Sequence, residues 1–365
     1  MVNLRKTSIL MCIIMGYSML ALTLIANSQS LINGYYGDKP LTTIKHDNIK
    51  GGLNYTIGDS IYKTLASGEG VEVNFDINIP SNASIEYARM YAYWTWSTSG
   101  ENASLTMKFN SKEVTIDKSY TDRKGFGTSD YPSGVYAYNV TLNESGRYTA
   151  TVTNSGENTT SIQGIGLLVV YNDSKSSEIE YWINEGYDIL FATAKYNTTP
   201  DNATTSSLFE GSIDKDNVTA TLWTIAPSAD KNANFSALYF NDKEWIGVWT
   251  YLGDSNLAVD QRDVTEFLLS ENNQVKFQDR GDYMVASNAF LVLTSKKISL
   301  CGDLDNNGKI ESKDALMALQ MAVGILPLYP AADVNGDGEV TSVDALMILQ
   351  KGVGMPVVLK CTGGL

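Results

Sequence analysis

From about residue 55 to residue 295, apolar and polar positions alternate over short runs broken by clusters of Gly, Asn, Asp and Ser; Val71–Ile79, Ile85–Trp96, Ala103–Ile116 and Ile162–Tyr171 are examples. A period of two puts successive side chains on opposite faces of a strand, and helical periodicity is hard to find here. The pattern predicts antiparallel sheets packed as β-sandwiches rather than a parallel sheet with crossover helices.

The same stretch carries an internal repeat. Leu105-Thr-Met-Lys-Phe-Asn-Ser-Lys-Glu113 returns as Ser236-Ala-Leu-Tyr-Phe-Asn-Asp-Lys-Glu244 at an offset of 131, and Ala88-Arg-Met-Tyr91 as Ala220-Thr-Leu-Trp223 at 132. Tyr138-Asn-Val-Thr141 then matches Arg262-Asp-Val-Thr265 at 124, and Leu167-Leu-Val-Val170 matches Phe290-Leu-Val-Leu293 at 123. Four pairings in one order predict a duplicated sandwich divided near residue 173.

The C-terminal segment follows another pattern. Asp303-Leu-Asp-Asn-Asn-Gly-Lys-Ile-Glu-Ser-Lys-Asp314 is answered thirty residues later by Asp333-Val-Asn-Gly-Asp-Gly-Glu-Val-Thr-Ser-Val-Asp344. Oxygen-bearing side chains stand at loop positions 1, 3, 5 and 12: Asp303, Asp305, Asn307 and Asp314, then Asp333, Asn335, Asp337 and Asp344. Position 6 is Gly308 or Gly338, where a sharp turn must fold the early ligands around an ion. Position 7 ligates through its backbone carbonyl, so Lys309 and Glu339 serve equally well. Ile310 and Val340 at position 8 suit a short strand linking the loops. A hard cation taking six to eight oxygens fits this spacing, so two Ca2+ ions are expected. With one histidine, His46, and no thiolate near the loops, zinc is poorly served.

Each loop is followed by a near-identical helical segment, Ala315-Leu-Met-Ala-Leu-Gln320 and Ala345-Leu-Met-Ile-Leu-Gln350, and no comparable helix precedes it. Position 12 is aspartate where an EF-hand has glutamate. These paired loop-helix units resemble the dockerin family, type I-like, over residues 301–361. The resemblance implies attachment to a cohesin-type partner or scaffold. In that family positions 10 and 11 commonly contact the partner, which here are Ser312 and Lys313, then Ser342 and Val343. The copies differ at position 11, which leaves the family's two-way symmetric docking open, and the same residues could simply begin the helices.

Cys301 and Cys361 bracket this module. Two units packed with pseudo-two-fold symmetry would bring the incoming and outgoing chain together, so a disulfide clasp is expected. Export makes such a bond persistent. Its signal lies at the start: Arg5 and Lys6, an uncharged apolar stretch from Ile9 to Ile25, then Ala26 and Ser28, with cleavage expected before Gln29. The alternative is an uncleaved membrane anchor. Cys12 follows Met11 rather than a small residue and is not read as a lipoprotein site. The units expected are thus a leader over 1–28, sandwiches over 29–172 and 173–298, and the calcium module over 299–365.

Removal of Arg5 and Lys6 takes the net charge from −14 to −16, an acidic surface that repels phosphate backbones and argues against a nucleic-acid partner. Eleven N-x-S/T sequons, at Asn54, Asn82, Asn102, Asn139, Asn143, Asn158, Asn172, Asn197, Asn202, Asn217 and Asn234, all precede residue 240 and favour a glycosylated exterior.

Tyr91-Ala-Tyr-Trp-Thr-Trp96, Glu180-Tyr-Trp-Ile-Asn-Glu185 and Lys276-Phe-Gln-Asp-Arg-Gly-Asp282 are similar to segments of an uncharacterised domain of methanogenic archaeal cell-surface proteins, over about residues 50–295. That resemblance implies location and fold and brings no activity. No G-x-S-x-G elbow is present, and the sole histidine leaves triads and zinc hydrolysis without parts. No catalytic residue is assigned. A carboxylate-dependent glycoside hydrolase, or a carbohydrate-binding protein, remains the alternative to a non-catalytic surface glycoprotein, because two acids suffice for that chemistry. Trp94, Trp96, Trp182, Trp223, Trp245 and Trp249 could stack on sugars, although a sandwich core accounts for at least half of the aromatics.

Overall fold

The computed structural model describes residues 34–361 except 126, 128–129, 231–233, 297–299 and 306, so the expected leader and its cleavage point lie outside the described residues. The first half carries β1 (Thr42–Thr56), β2 (Lys63–Leu65), β3 (Gly70–Ile77), β4 (Ser84–Thr95), β5 (Leu105–Phe109), β6 (Lys112–Val114), β7 (Lys118–Asp122), β8 (Ser133–Asn139), β9 (Gly146–Asn154) and β10 (Thr160–Asn172). The second carries β11 (Glu178–Leu190), β12 (Thr204–Ser212), β13 (Val218–Pro227), β14 (Ser236–Phe240), β15 (Lys243–Ile246), β16 (Leu257–Asp263), β17 (Glu271–Asp279) and β18 (Met284–Ser295). Helices α1 (Ser312–Ala322) and α2 (Ser342–Gly352) follow. The protein is mainly β and antiparallel, as the alternation predicts. The run Ala103–Ile116 is a hairpin rather than one strand: Asn110 and Ser111, both at positive φ (47° and 66°), reverse the chain between β5 and β6.

Two small sheets, β3-β9-β5-β6 and β12-β17-β14-β15, flank a long one ordered β16-β13-β18-β11-β1-β10-β4-β8-β7, with β2 added on β10. Both halves share an order. Strands β1-β10-β4-β8 run as β11-β18-β13-β16 do, and the small sheets correspond strand for strand. The long sheet changes direction within β1, whose Thr42–Lys50 pair with β11 and whose Gly51–Thr56 pair with β10. At that corner a Cβ on Gly51 would lie 1.8 Å from the Tyr171 carbonyl oxygen, so only glycine fits. Residues that the sequence reading gives to the first unit therefore sit in the sheet of the second.

Alternation distributes side chains among three cores. In β3, Val71, Val73, Phe75 and Ile77 point inward onto Met90, Trp94, Leu167 and Val169, while Glu72 and Asp76 face solvent. Leu222, Leu291, Phe240 and Phe277 build the equivalent core of the second half. The opposite faces of the long sheet enclose a third core containing Tyr55, Tyr91, Tyr93, Leu168, Ile183, Phe290 and Val292 from both halves. This arrangement corrects the last repeat pairing. Met90 pairs with Leu167 and Leu222 with Leu291, so the offset for β10 and β18 is 124 and not 123. A one-residue slip would align Leu167 with Phe290, which points into a different core.

Arg89 of β4 ties the halves across the third core. Its Nε donates to Glu185 Oε1 (2.5 Å) and its Nη2 to Oε2 (2.9 Å), while Nη1 reaches Asp117 and Asn139, each at 2.8 Å. Tyr91 donates to the same Glu185 at 2.8 Å. Both members of the pair are buried, so removing one leaves an uncompensated charge. Glu185→Ala is expected to destabilise the body by about 3–5 kcal/mol, read as a lower urea midpoint in a single unfolding transition shared by both halves.

Candidate metal centre

The first loop brings carboxylate oxygens of Asp303, Asp305 and Asp314 within 4.8 Å of one another. Backbone amides aim them. Asp303 accepts from Asn307 N (3.1 Å) and Gly308 N (2.7 Å), and Asn307 Oδ1 accepts from Lys309 N (2.9 Å). Asp314 Oδ1 accepts from Leu304 N (2.8 Å) and Asp305 N (3.2 Å). The second loop repeats the scheme. Asp333 accepts from Asp337 N (3.2 Å) and Gly338 N (2.9 Å), Asp337 from Glu339 N (2.9 Å), and Asp344 from Val334 N (3.0 Å) and Asn335 N (3.2 Å). Gly308 and Gly338 adopt φ of 81° and 91°, a turn that L side chains resist. The side-chain donor set is all oxygen, which fits a hard divalent cation such as calcium.

The twelfth residue has a second task. Asp314 and Asp344 are also the third residues of their helices, closing capping boxes with Glu311 and Thr341. Ser312, Lys313, Ser342 and Val343 are the exposed first and second residues of α1 and α2. Lys313 Nζ lies 2.7 Å from Asp305 Oδ2, a bond that holds the Asp305 carboxyl below its ordinary range. Val343 offers the second loop no such ammonium. Ile310 and Val340 pack on the module's core, yet no strand joins the loops among the described residues.

The helices point the other way from what the leucines alone imply. Ala315, Ala318 and Met321 of α1 and Ala345 and Ile348 of α2 face the core, while Leu316, Leu319 and Val323, and their counterparts Leu346, Leu349 and Val353, are exposed. Sequence reasoning missed these six. Their signal was the repeat itself, an apolar stripe kept in both copies on the face opposite the alanines.

Cys301 and Cys361 form a disulfide with Cα atoms 5.6 Å apart, closing a span of 60 residues. Another acidic group, Asp38, Asp122 and Asp188, already surrounds an ammonium. Lys124 Nζ sits 2.7–2.9 Å from all three, and burial pushes the Asp188 carboxyl up. His46 is held by Glu180 (2.7 Å) and stacked on Trp182 with centroids 4.1 Å apart, a structural role. All eleven sequon asparagines are exposed, whereas the buried Asn154, Asn184, Asn273 and Asn288 fall outside any sequon. Reducing the Cys301–Cys361 bond is expected to weaken the C-terminal module by up to ~4 kcal/mol and leave the body unchanged, checked by differential scanning calorimetry with and without reductant.

Residues 34–294 match the family described as "Protein of unknown function (DUF3344)", and no curated protein matches. Among solved structures, the major capsid protein P2 from bacteriophage PM2 is similar at 7% identity and a TM-score of 0.20, over 69% of this chain and 98% of that one. N-glycanase F follows at 11% and 0.23, over 68% and 96%. BuGH86 in complex with neoagarooctaose gives 11% and 0.21, over 71% and 34%. Scores this low carry no argument about fold or function. The family match takes in well over half of the chain and nearly all of the β body, so the chain belongs to the DUF3344 family of proteins of unknown function.

Proposed function

We propose that residues 299–365 act as a calcium-loaded, dockerin-like module, and that the protein is a secreted or cell-surface, non-catalytic glycoprotein held through it to a cohesin-type partner. One observation carries this reading: each acidic loop, with the same spacing and the same amide-to-carboxylate hydrogen bonds, opens a helix whose outward face is an apolar stripe. Paired exposed apolar stripes on a module this small fit a surface meant to be covered. The shared strand order of the halves supports the reading of the body as a duplicated sandwich. Exposure of every sequon supports the glycosylated exterior.

Calcium ligation would tie the loop carboxylates to the helix starts, so metal loss would remove part of the module's folding energy. Chelation is expected to reduce the helical circular dichroism signal and abolish capture of a cohesin panel, with both restored by added Ca2+. Helicity and capture indifferent to chelator would refute the proposal. The double variant Leu316→Glu and Leu346→Glu is expected to lose capture while terbium luminescence from the loops persists. At loop 1, Lys313→Val removes the ammonium that competes for Asp305. Because an exposed ion pair contributes under about 1 kcal/mol, the expected gain in calcium affinity is about two- to fivefold by calorimetry, at one of the two sites only.

A further inference from the structure

A cleft of about 430 Å³ opens where the two halves meet, and six of its lining residues are aromatic: Tyr35, Trp96, Tyr131, Phe191, Tyr196 and Tyr283. They form two walls. Trp96 and Tyr131 lie with ring centroids 5.4 Å apart, and Tyr35 packs against Phe191, Tyr196 and Tyr283 at 5.4–6.0 Å. The polar lining consists of the hydroxyls of Thr95 and Ser133, 2.8 Å apart, with Thr193 and Lys195.

Backbone strain converges on the same place. Among the described residues nine non-glycines have positive φ; five are Asn, which tolerates that region, and two are the small Ser111 and Ser228. The other two are Trp96 (φ 55°) and Tyr283 (φ 65°), and both line this cleft. Bulky residues are held in such a conformation at a cost of about 1–3 kcal/mol each, a pattern concentrated at ligand sites. The second half supplies an internal control. By the register of β4 on β8 and β13 on β16, Trp96 corresponds to Ser228, which has φ 63°. The turn is thus met by serine in one half, so the backbone does not require the indole in the other. Trp96 is also 45% exposed, which excludes a core role.

From this we infer that the cleft binds a neutral pyranose oligosaccharide, with Trp96 and Tyr131 stacking on the apolar face of a sugar ring and the Thr95, Ser133 and Thr193 hydroxyls meeting its hydroxyl edge. Aromatic faces beside hydroxyls, with one ammonium at the side, match a ligand that is apolar on its faces and polar around its rim. The residues that line the cleft among those described include no carboxylate, and Asp130 stands behind them, near enough for its charge to act on Tyr35 and Tyr283, so the lining is suited to holding a sugar.

The test uses the full calcium-loaded chain and tryptophan fluorescence against cellohexaose, xylohexaose, mannohexaose and chitohexaose. Saturable quenching by at least one is expected, with affinity lowered at least about tenfold in Trp96→Ser and in Tyr131→Ala. Trp96→Ser copies the residue that the second half already carries, so its thermal midpoint is expected to match or exceed that of the parent. Ser228→Ala, outside the cleft, should leave affinity unchanged. Absence of binding to all four sugars by the folded parent, or affinity within twofold of the parent in Trp96→Ser, would overturn the assignment. Cohesin capture is measured in parallel, so failure here is distinguishable from failure of the docking proposal.

Discussion

At Lys50–Gly51 strand β1 stops hydrogen-bonding to β11 and begins hydrogen-bonding to β10, and the layering of the body follows from that change of partner. A strand that passes from one sheet to another makes a corner. The two halves of the long sheet can then face each other, which Tyr93 shows directly by donating to Asn288 of the other half at 2.7 Å. Gly51 and Gly52 supply the clearance. Their neighbours Tyr171 and Asn172 approach too closely for any side chain at Gly51.

Facing sheets create the third core, and that core contains the polar groups that make the fit specific. The Arg89–Glu185 pair, Tyr91 and Tyr93 would each be costly to bury alone; Glu185 accepts from Arg89 and Tyr91, and Tyr93 donates to Asn288 Oδ1, while Asn288 Nδ2 is left without a partner among the described residues. The aromatic and acidic segments 91–96, 180–185 and 276–282 acquire a structural meaning here. Tyr91 and Tyr93 enter the third core while Trp94 enters the first, and Glu185 receives Arg89. Asp279, in the third segment, accepts from the amides of Ala192, Gly281 and Asp282 and so fixes the chain beside Tyr283. The aromatic cleft opens at the same junction, because its lining joins residues of both halves.

The C-terminal module relies on a different constraint. Its core is small, built on alanines and single larger residues such as Met321 and Ile348, so the helices cannot bury their leucines. Amide-to-carboxylate hydrogen bonds within the loops, the helix caps and the disulfide add support that so small a core lacks. Asp314 and Asp344 serve loop and helix at once, which couples the two.

Local spacing alone determined the glycine turns of the acidic loops, the helices after them and most strands, since each depends on residues close in sequence or on a period that the chain displays; the Cys301–Cys361 bond, spanning 60 residues, followed from the repeat of loop and helix between them. The four segment pairings fall on strands of matching order in the two halves, apart from the one-residue slip at β18. That slip could be resolved only by knowing which of three cores each side chain enters. Tertiary structure decided the rest: the sharing of β1, the Arg89–Glu185 pair, the outward leucines and the cleft around Trp96. Each unites residues tens to hundreds of positions apart, or depends on which face of an element is covered. A sequence states that a position is apolar. What will cover it is settled only by the elements packed around it.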